Sequence, residues 1–185
     1  MWLGHLVDGL CEYLCMRGFP PPLLLNAYLK QMPNHTTAFK ILRTLDANLN
    51  RAMEGLRVCE ELVRFCGGRR SDFLRLRDIR HNLGRYITHL PLSISARLKA
   101  RDTRMDPGRR LSAVDMGVKP SKLTQRVINH ALLVNFQRAK EAFRVIEECS
   151  RLICPSRTAG FQAMRFQTYD AERKVILSLA AIRNN

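Results

Sequence analysis

Five residues in the short polar segment RDTRMDPGRR combine types that can bind phosphate and Mg²⁺: Arg101, Asp102, Thr103, Asp106 and Gly108. The two carboxylates can coordinate Mg²⁺ through oxygen, while the guanidinium can neutralise a phosphate. The hydroxyl adds a further polar contact, and the glycine lets a ligand approach the backbone closely. The other explanation is an ordinary interhelical loop, because such loops are commonly rich in Asp and Gly.

A second set of polar residues occurs twice in the chain. Two segments share the skeleton N-x-x-R-A-x-E-x-x-R-V-x-E-E without a gap: LDANLNRAMEGLRVCEELVRF at 45–65 and LLVNFQRAKEAFRVIEECSRL at 132–152. The spacing between them is constant at 87 residues. An internal repeat predicts two similar units packed against each other. The matched polar pairs are Asn48/Asn135, Arg51/Arg138, Glu54/Glu141 and Arg57/Arg144.

Asn48 and Asn135 each fall in the middle of the apolar face of their helix, at about 100° per residue. A buried amide costs free energy unless its hydrogen bonds are made. Two explanations stay open. A bond to the other asparagine or to the backbone could fix the register of two packed helices, or the two amides could line a polar pocket between the repeats.

Arg51 and Arg138 lie at the edge of the apolar face, where a partly buried guanidinium suits bidentate phosphate binding. The remaining charged positions are spaced for ion pairs along an exposed helix surface. These positions are Arg57 with Glu61 and Arg144 with Glu148.

No segment shows the two-residue alternation of a strand, so we expect an all-α fold. The predicted helices cover 37–66, 71–89, 93–100, 122–153 and 158–182, and a loop covers 101–120. The halves at about 38–90 and 122–182 then each consist of a long helix followed by a second one. This pattern predicts a single domain at 38–185, built from two pseudo-symmetric helix-pair repeats.

Two further features concern the edges of this pattern. A weaker match at a spacing of 88 residues sets Phe73, Arg77 and His81 opposite Phe161, Arg165 and Tyr169. Residues 1–37 match neither repeat, and we predict that they form an N-terminal extension.

The net charge of +15 predicts either a solvated basic surface or an anionic partner, such as a phosphorylated small molecule or nucleic acid. The six cysteines contain no C-x-x-C pair. Cys59 and Cys149 stand opposite aliphatic residues of the sister repeat, which predicts buried free thiols and a cytoplasmic location. No apolar run reaches membrane-spanning length, so we expect no membrane partner. P-loop and Rossmann signatures are also missing.

Four segments, in this order, resemble one small helical family. They are ILRTLDANLNRAMEGLRVCEELVRF, LRDIRHNL, RDTRMDPG and NFQRAKEAFRVIEE. The family is that of the monofunctional hydroxymethylpyrimidine-phosphate kinases, which are often fused ahead of thiamine-phosphate synthase. The resemblance covers roughly 38–182.

The resemblance implies that ATP phosphorylates hydroxymethylpyrimidine phosphate to the pyrophosphate in thiamine biosynthesis, without acting on the unphosphorylated alcohol. Because donor and acceptor both carry phosphate, the site needs cations and Mg²⁺ more than covalent chemistry. We therefore expect catalytic roles for Arg101, Asp102 and Asp106, with the two aspartates as Mg²⁺ ligands. Substrate-binding roles are expected for Asn48, Arg51, Thr103, Gly108, Asn135 and Arg138.

Two positions depart from the family pattern. His130 and Val134 stand where an aspartate and an alanine typically precede the second asparagine. Two alternatives to the kinase therefore stay open: an inactive partner domain of thiamine-phosphate synthase, and a basic helical module that binds nucleic acid. The second is the weaker one, because the repeat places its polar positions partly inside the structure.

Overall fold

Helices make up all the regular secondary structure of the residues described by the computed structural model, which are 35–90, 94–101 and 125–182. The helices are α1 (His35–Phe65), α2 (Arg70–Thr88), α3 (Ile94–Ala100), α4 (Gln125–Ile153) and α5 (Thr158–Ile182), with a 3₁₀ turn at Pro155–Arg157. The prediction of an all-α fold is confirmed. The predicted helix bounds agree with these to within three residues, and the N-terminal extension lies almost wholly outside the described residues.

Glycine ends the first long helix as its backbone chemistry predicts. Gly67 has a φ of 93°, a left-handed conformation that costs glycine little. The amide of Gly68 donates to the carbonyl of Val63 at 3.0 Å, which satisfies one of the last carbonyls of α1. The chain can then reverse directly into α2.

The four long helices enclose a single core. α1 packs on α4 and α2, and α5 packs on the same two helices, so each long helix has two long neighbours. The short helix α3 packs on α1. The largest fully buried apolar side chains come from all four long helices, among them Leu49, Leu56, Leu76, Phe136, Phe143 and Phe161. None of the helices in this part of the chain has the length and apolarity needed to cross a membrane.

α1 and α4 approach each other closely at the centre of the core. A Cβ added at Gly55 would lie 2.9 Å from the carbonyl oxygen of Asn135 and 3.4 Å from the Cβ of Ala139. Ala52 and Ala139 are fully buried beside this contact. Small side chains at these positions therefore set the distance between the two repeat helices.

One buried carboxylate in each half anchors the second helix of that half. Glu60 accepts from Nε of Arg80 at 2.6 Å, and Glu147 accepts from Nε of Arg165 at 2.5 Å. Glu147 follows Glu60 by 87 residues, whereas Arg165 follows Arg80 by 85. The predicted match of Arg77 with Arg165, at a spacing of 88, is therefore wrong, because Arg80 makes the equivalent contact. The pseudo-symmetry of the two halves as whole units stays a prediction.

The cysteines of the described residues are free thiols. Cys59, Cys149 and Cys154 are buried, and Cys66 is partly exposed. The prediction for Cys59 and Cys149 is confirmed. Burial, and to a smaller extent the nearby charge of Glu172, together raise the pKa of the Cys59 thiol to about 12.

Candidate functional site

Asp46 of the D-A-N-L-N-R segment is the centre of a charged cluster that joins α1 to α3. Its side chain is only 3% exposed. Arg101 reaches Oδ2 of Asp46 with Nε at 2.8 Å and with a terminal nitrogen at 2.6 Å. Arg97 lies 3.7 Å from Oδ1. The first residue of the predicted phosphate-binding loop is therefore held against the repeat helix.

Counted over the described residues, this cluster keeps a positive charge after its internal pairing. Two guanidinium groups share one carboxylate, and Asn50 adds a weak amide contact to Asp46 at 3.5 Å. The side chain of Arg101 remains 40% exposed. Its exposed donors can bind an anion while Asp46 fixes the direction in which the guanidinium faces.

The two repeat asparagines make the same hydrogen bond. Nδ2 of Asn48 donates to the carbonyl of Thr44 at 2.8 Å, and Nδ2 of Asn135 donates to the carbonyl of Ala131 at 2.8 Å. Both bonds lie within a single helix, four residues back along the chain. They satisfy one donor of each buried or half-buried amide without joining the two helices. A bond to the backbone is therefore observed, but within one helix, so the predicted fixing of the register between two helices is not seen, and the polar pocket stays a prediction.

Arg51 and Arg138 lie exposed on the surfaces of α1 and α4. Neither forms an ion pair with another residue of the described ranges, and neither contacts the Asp46 cluster there. No residue of the described ranges therefore occupies the position of an anion at either side chain. The structure does not bring them together with Arg101.

The remaining predicted site residues, Asp102, Thr103, Asp106 and Gly108, lie outside the described residues. The Mg²⁺ site expected at Asp102 and Asp106 therefore stays a prediction. Within 35–90, 94–101 and 125–182, no group of three His, Cys, Asp or Glu side chains could hold a metal ion. Asp46 is engaged with arginines and is not available as a ligand.

The predicted ion pairs on the exposed helix surfaces are confirmed. Arg57 lies 2.7 Å from Glu61, and Arg144 lies 2.7 Å from Glu148. Both arginine side chains are 53% exposed. Such pairs contribute little to stability, so these residues need no functional explanation.

Sequence reasoning missed the residues that organise the charged contacts. Asp46 precedes Asn48 by two residues, and neither its type nor its spacing distinguishes it from a surface residue. The shared skeleton ends in an E-E pair, and the buried glutamates Glu60 and Glu147 are the first residue of that pair in each repeat. Their partners Arg80 and Arg165 could not be found, because the second helices follow a different spacing from the first.

The two halves differ at the position of this cluster. At the spacing of 87 residues, Leu133 stands opposite Asp46, and its side chain is 44% exposed. His130 stands opposite Arg43 instead, so the departure assigned to His130 belongs to Leu133. Val134 stands opposite Ala47, as expected. At this position the second half therefore has no carboxylate equivalent to Asp46.

These features define a small all-α protein with a cationic cluster where its first repeat helix meets a short third helix. Residues 43–174 match the ThiD2 family, and this chain belongs to that family.

Several similar curated proteins are named thiamine-phosphate synthase. That of Gloeobacter violaceus is 41% identical over 133 residues, which cover 71% of this chain and 35% of the relative. That of Thermosynechococcus vestitus is 39% identical over 141 residues, covering 75% of this chain and 36% of the relative. The chain spans little more than a third of the length of these relatives, and no solved structure matches it. The comparisons associate the family with thiamine biosynthesis.

Proposed function

We propose that this protein transfers the γ-phosphoryl group of ATP to hydroxymethylpyrimidine phosphate in thiamine biosynthesis. The observation that carries this proposal is the contact of Asp46 with Arg101. It brings the D-A-N-L-N-R segment together with the start of the R-D-T loop, and these are the two motifs most specific to the kinase resemblance.

The chemistry of the reaction suits a site built from arginines. An oxygen of the acceptor phosphate attacks the γ-phosphorus of ATP, the bond from that phosphorus to the bridging oxygen breaks, and ADP leaves. The acceptor oxygen is already ionised near neutral pH, so no side chain has to remove a proton. The protein has to align two anions and offset their repulsion. Arg101, with its guanidinium oriented by Asp46, is suited to this role.

The other expected site residues fit the same reaction by type. Asp102 and Asp106 would hold Mg²⁺, which offsets charge on the phosphates when bound. Thr103 and Gly108 would complete the loop around the phosphoryl group. Substrate-binding roles for the exposed Arg51 and Arg138 and for the amides of Asn48 and Asn135 belong to this proposal.

The proposal is tested by incubating the protein with ATP and Mg²⁺ and either of two acceptors. We expect hydroxymethylpyrimidine phosphate to give the pyrophosphate and ADP in equal amounts. The unphosphorylated alcohol is the matched control and should give no product. Phosphorylation of the alcohol at a similar rate would point to a different kinase, and no product from either acceptor would refute the proposal.

A second candidate function is a non-catalytic partner domain of thiamine-phosphate synthase. It is favoured by the relatives, in which the matching segment is part of a much longer protein of that name. The loss of the carboxylate at Leu133 is also compatible with a copy that no longer turns over. Tight binding to a thiamine-phosphate synthase, together with no phosphoryl transfer, would support this candidate over the kinase.

A further inference from the structure

An open cleft of about 410 Å³ lies between α1 and α2. Met53 is the lining residue from α1, and Asp78, Arg80, His81, Gly84 and Arg85 line it from α2. Met53 follows Asp46 by seven residues, which is two helical turns on the same face of α1. The cleft therefore lies about 10 Å along the helix axis from the Asp46 cluster, on the same side of the helix.

One wall of the cleft is apolar and the other is a fixed guanidinium. A Cβ added at Gly84 would meet only the methyl carbon of Met53, at 3.9 Å. Arg80 is held by Glu60 through two contacts, at 2.6 and 3.3 Å, and it also lies 3.3 Å from Nε2 of His81. These contacts fix the plane of the Arg80 guanidinium, and a fixed guanidinium is a good surface for stacking.

An aromatic side chain of the second half occupies the place that corresponds to this cleft. The counterparts by spacing are Lys140 for Met53, Arg165 for Arg80 and Tyr169 for Gly84. The ring centroid of Tyr169 lies 5.0 Å from Nζ of Lys140 and 5.8 Å from Cζ of Arg165. A ring of the protein itself thus lies between the second-half counterparts of Met53 and Arg80.

We propose that the cleft binds the planar nitrogen heterocycle of a phosphorylated substrate, in the place that Tyr169 takes in the other half. The ring lies against Met53 and stacks on Arg80. The exposed carboxylate of Asp78 accepts from an amino group of the ring, and Arg85 donates to the phosphate. The inference rests on the proposed function, in which ATP and the aminopyrimidine phosphate both carry an amino-substituted ring.

The test places a tyrosine in the cleft at Gly84, the position that corresponds to Tyr169 in the second half. Gly84→Tyr is compared with Leu74→Tyr, which adds the same ring to the same helix at a 38% exposed position outside the cleft. ATP and hydroxymethylpyrimidine phosphate are titrated separately by calorimetry. We expect Gly84→Tyr to weaken one of them at least about tenfold, while Leu74→Tyr stays near the wild type. The weakened ligand identifies which ring occupies the cleft.

A second variant covers the case in which Gly84→Tyr does not fold. Arg85 is an exposed residue bonded to Asn82, so Arg85→Glu should leave the fold intact and weaken the same ligand. Unchanged affinity for both ligands in either folded variant would overturn the inference, and so would a wild type that binds neither.

The measurements separate this inference from the proposed function. Loss of binding in Gly84→Tyr, together with a wild type that forms no pyrophosphate, would support the cleft and refute the kinase. Full turnover in Gly84→Tyr would refute the cleft and leave the kinase standing.

Discussion

At the scale of single residues, the most consequential side chain is a carboxylate rather than the repeated asparagines. Asp46 forms ion pairs with Arg97 and Arg101. Asn48 and Asn135 instead each donate a hydrogen bond to a backbone carbonyl of their own helix. A buried carboxylate that orients an exposed guanidinium lowers the cost of binding phosphate, because the cation is already in place. Arg101 is therefore the side chain on which the proposed phosphoryl transfer depends most.

Arg51→Ala and Arg138→Ala test the predicted role of the two exposed arginines. Hydrogen bonds to charged groups are worth about 1.5–3 kcal/mol, so each loss should lower kcat/KM by roughly 10- to 100-fold. Neither side chain is buried, so the melting temperature should change little. Arg77→Ala, also at an exposed arginine, is the matched control. Unchanged kcat/KM in both variants would remove them from the site.

The raised pKa of Cys59 predicts that the stability of the folded protein falls at alkaline pH. Its pKa is raised to about 12 in the folded protein, mainly by burial and also by Glu172, whereas an unfolded thiol ionises at about 8.5. Above the unfolded pKa the unfolded chain releases a proton that the folded chain keeps, so stability falls as the pH rises towards 12.

Urea unfolding between pH 8 and the alkaline limit of folding measures this fall. Cys59→Ala should flatten it relative to the wild type, because the variant has no buried thiol at this position. Equal slopes in the wild type and Cys59→Ala would show that the thiol is not protected as described.

At the scale of the helices, the sequence predicted the elements well and their mutual register only in part. The spacing of apolar residues and the Gly67-Gly68 stop placed α1, and Pro155 placed the break before α5. The repeat identified α1 and α4 as counterparts, because their skeletons share one spacing. The spacing changes from 87 to 85 residues between the first and second helix of each half, and a single sequence gives no sign of this change.

Glu60→Gln and Glu147→Gln test whether buried carboxylates hold the second helices in place. Removing one partner of a buried ion pair leaves an uncompensated charge, so we expect each to lower the free energy of unfolding by about 3 kcal/mol. Glu148→Gln is the matched control, because its carboxylate is 48% exposed and should cost less than about 1 kcal/mol. Chemical denaturation measures all three, and a loss at Glu147 no larger than at Glu148 would contradict the assignment.

Gly55→Ala tests the close approach of α1 and α4. The added Cβ would lie 2.9 Å from a backbone oxygen, which cannot move without shifting a helix, so we expect a loss of about 1–3 kcal/mol. Gly84→Ala meets only a flexible methyl group at 3.9 Å and should gain about 0.5–1 kcal/mol from helix propensity. Thermal unfolding without ligand compares them, and a stabilised Gly55→Ala would rule out the tight contact.

At the scale of the whole molecule, the net charge of +15 is the excess of 31 lysines and arginines over 16 aspartates and glutamates. Several arginines of the described residues are already paired with carboxylates, and the Asp46 cluster carries its excess charge at one place. A long polyanion would need an extended basic surface, whereas a small phosphorylated ligand needs only a local cluster of this kind. Nucleic-acid binding stays an untested alternative.

Only part of the candidate site could be predicted from the sequence. Arg101 was found because the R-D-T segment is distinctive, and its contact with α1 follows from the fold. Asp46 was missed, since an acidic residue beside an apolar face cannot be told from a surface residue until its partners on α3 are known. The cleft between α1 and α2 also depends on a packing that no local pattern specifies.

The most direct measurement is turnover of hydroxymethylpyrimidine phosphate with ATP and Mg²⁺ in the wild type and in Asp46→Asn, with folding checked by circular dichroism. We expect the wild type to form the pyrophosphate. Asp46→Asn should stay helical and lose at least about tenfold in kcat, because Arg101 is no longer oriented. Full activity in a folded Asp46→Asn, or no product from stoichiometric wild-type enzyme, would contradict the account.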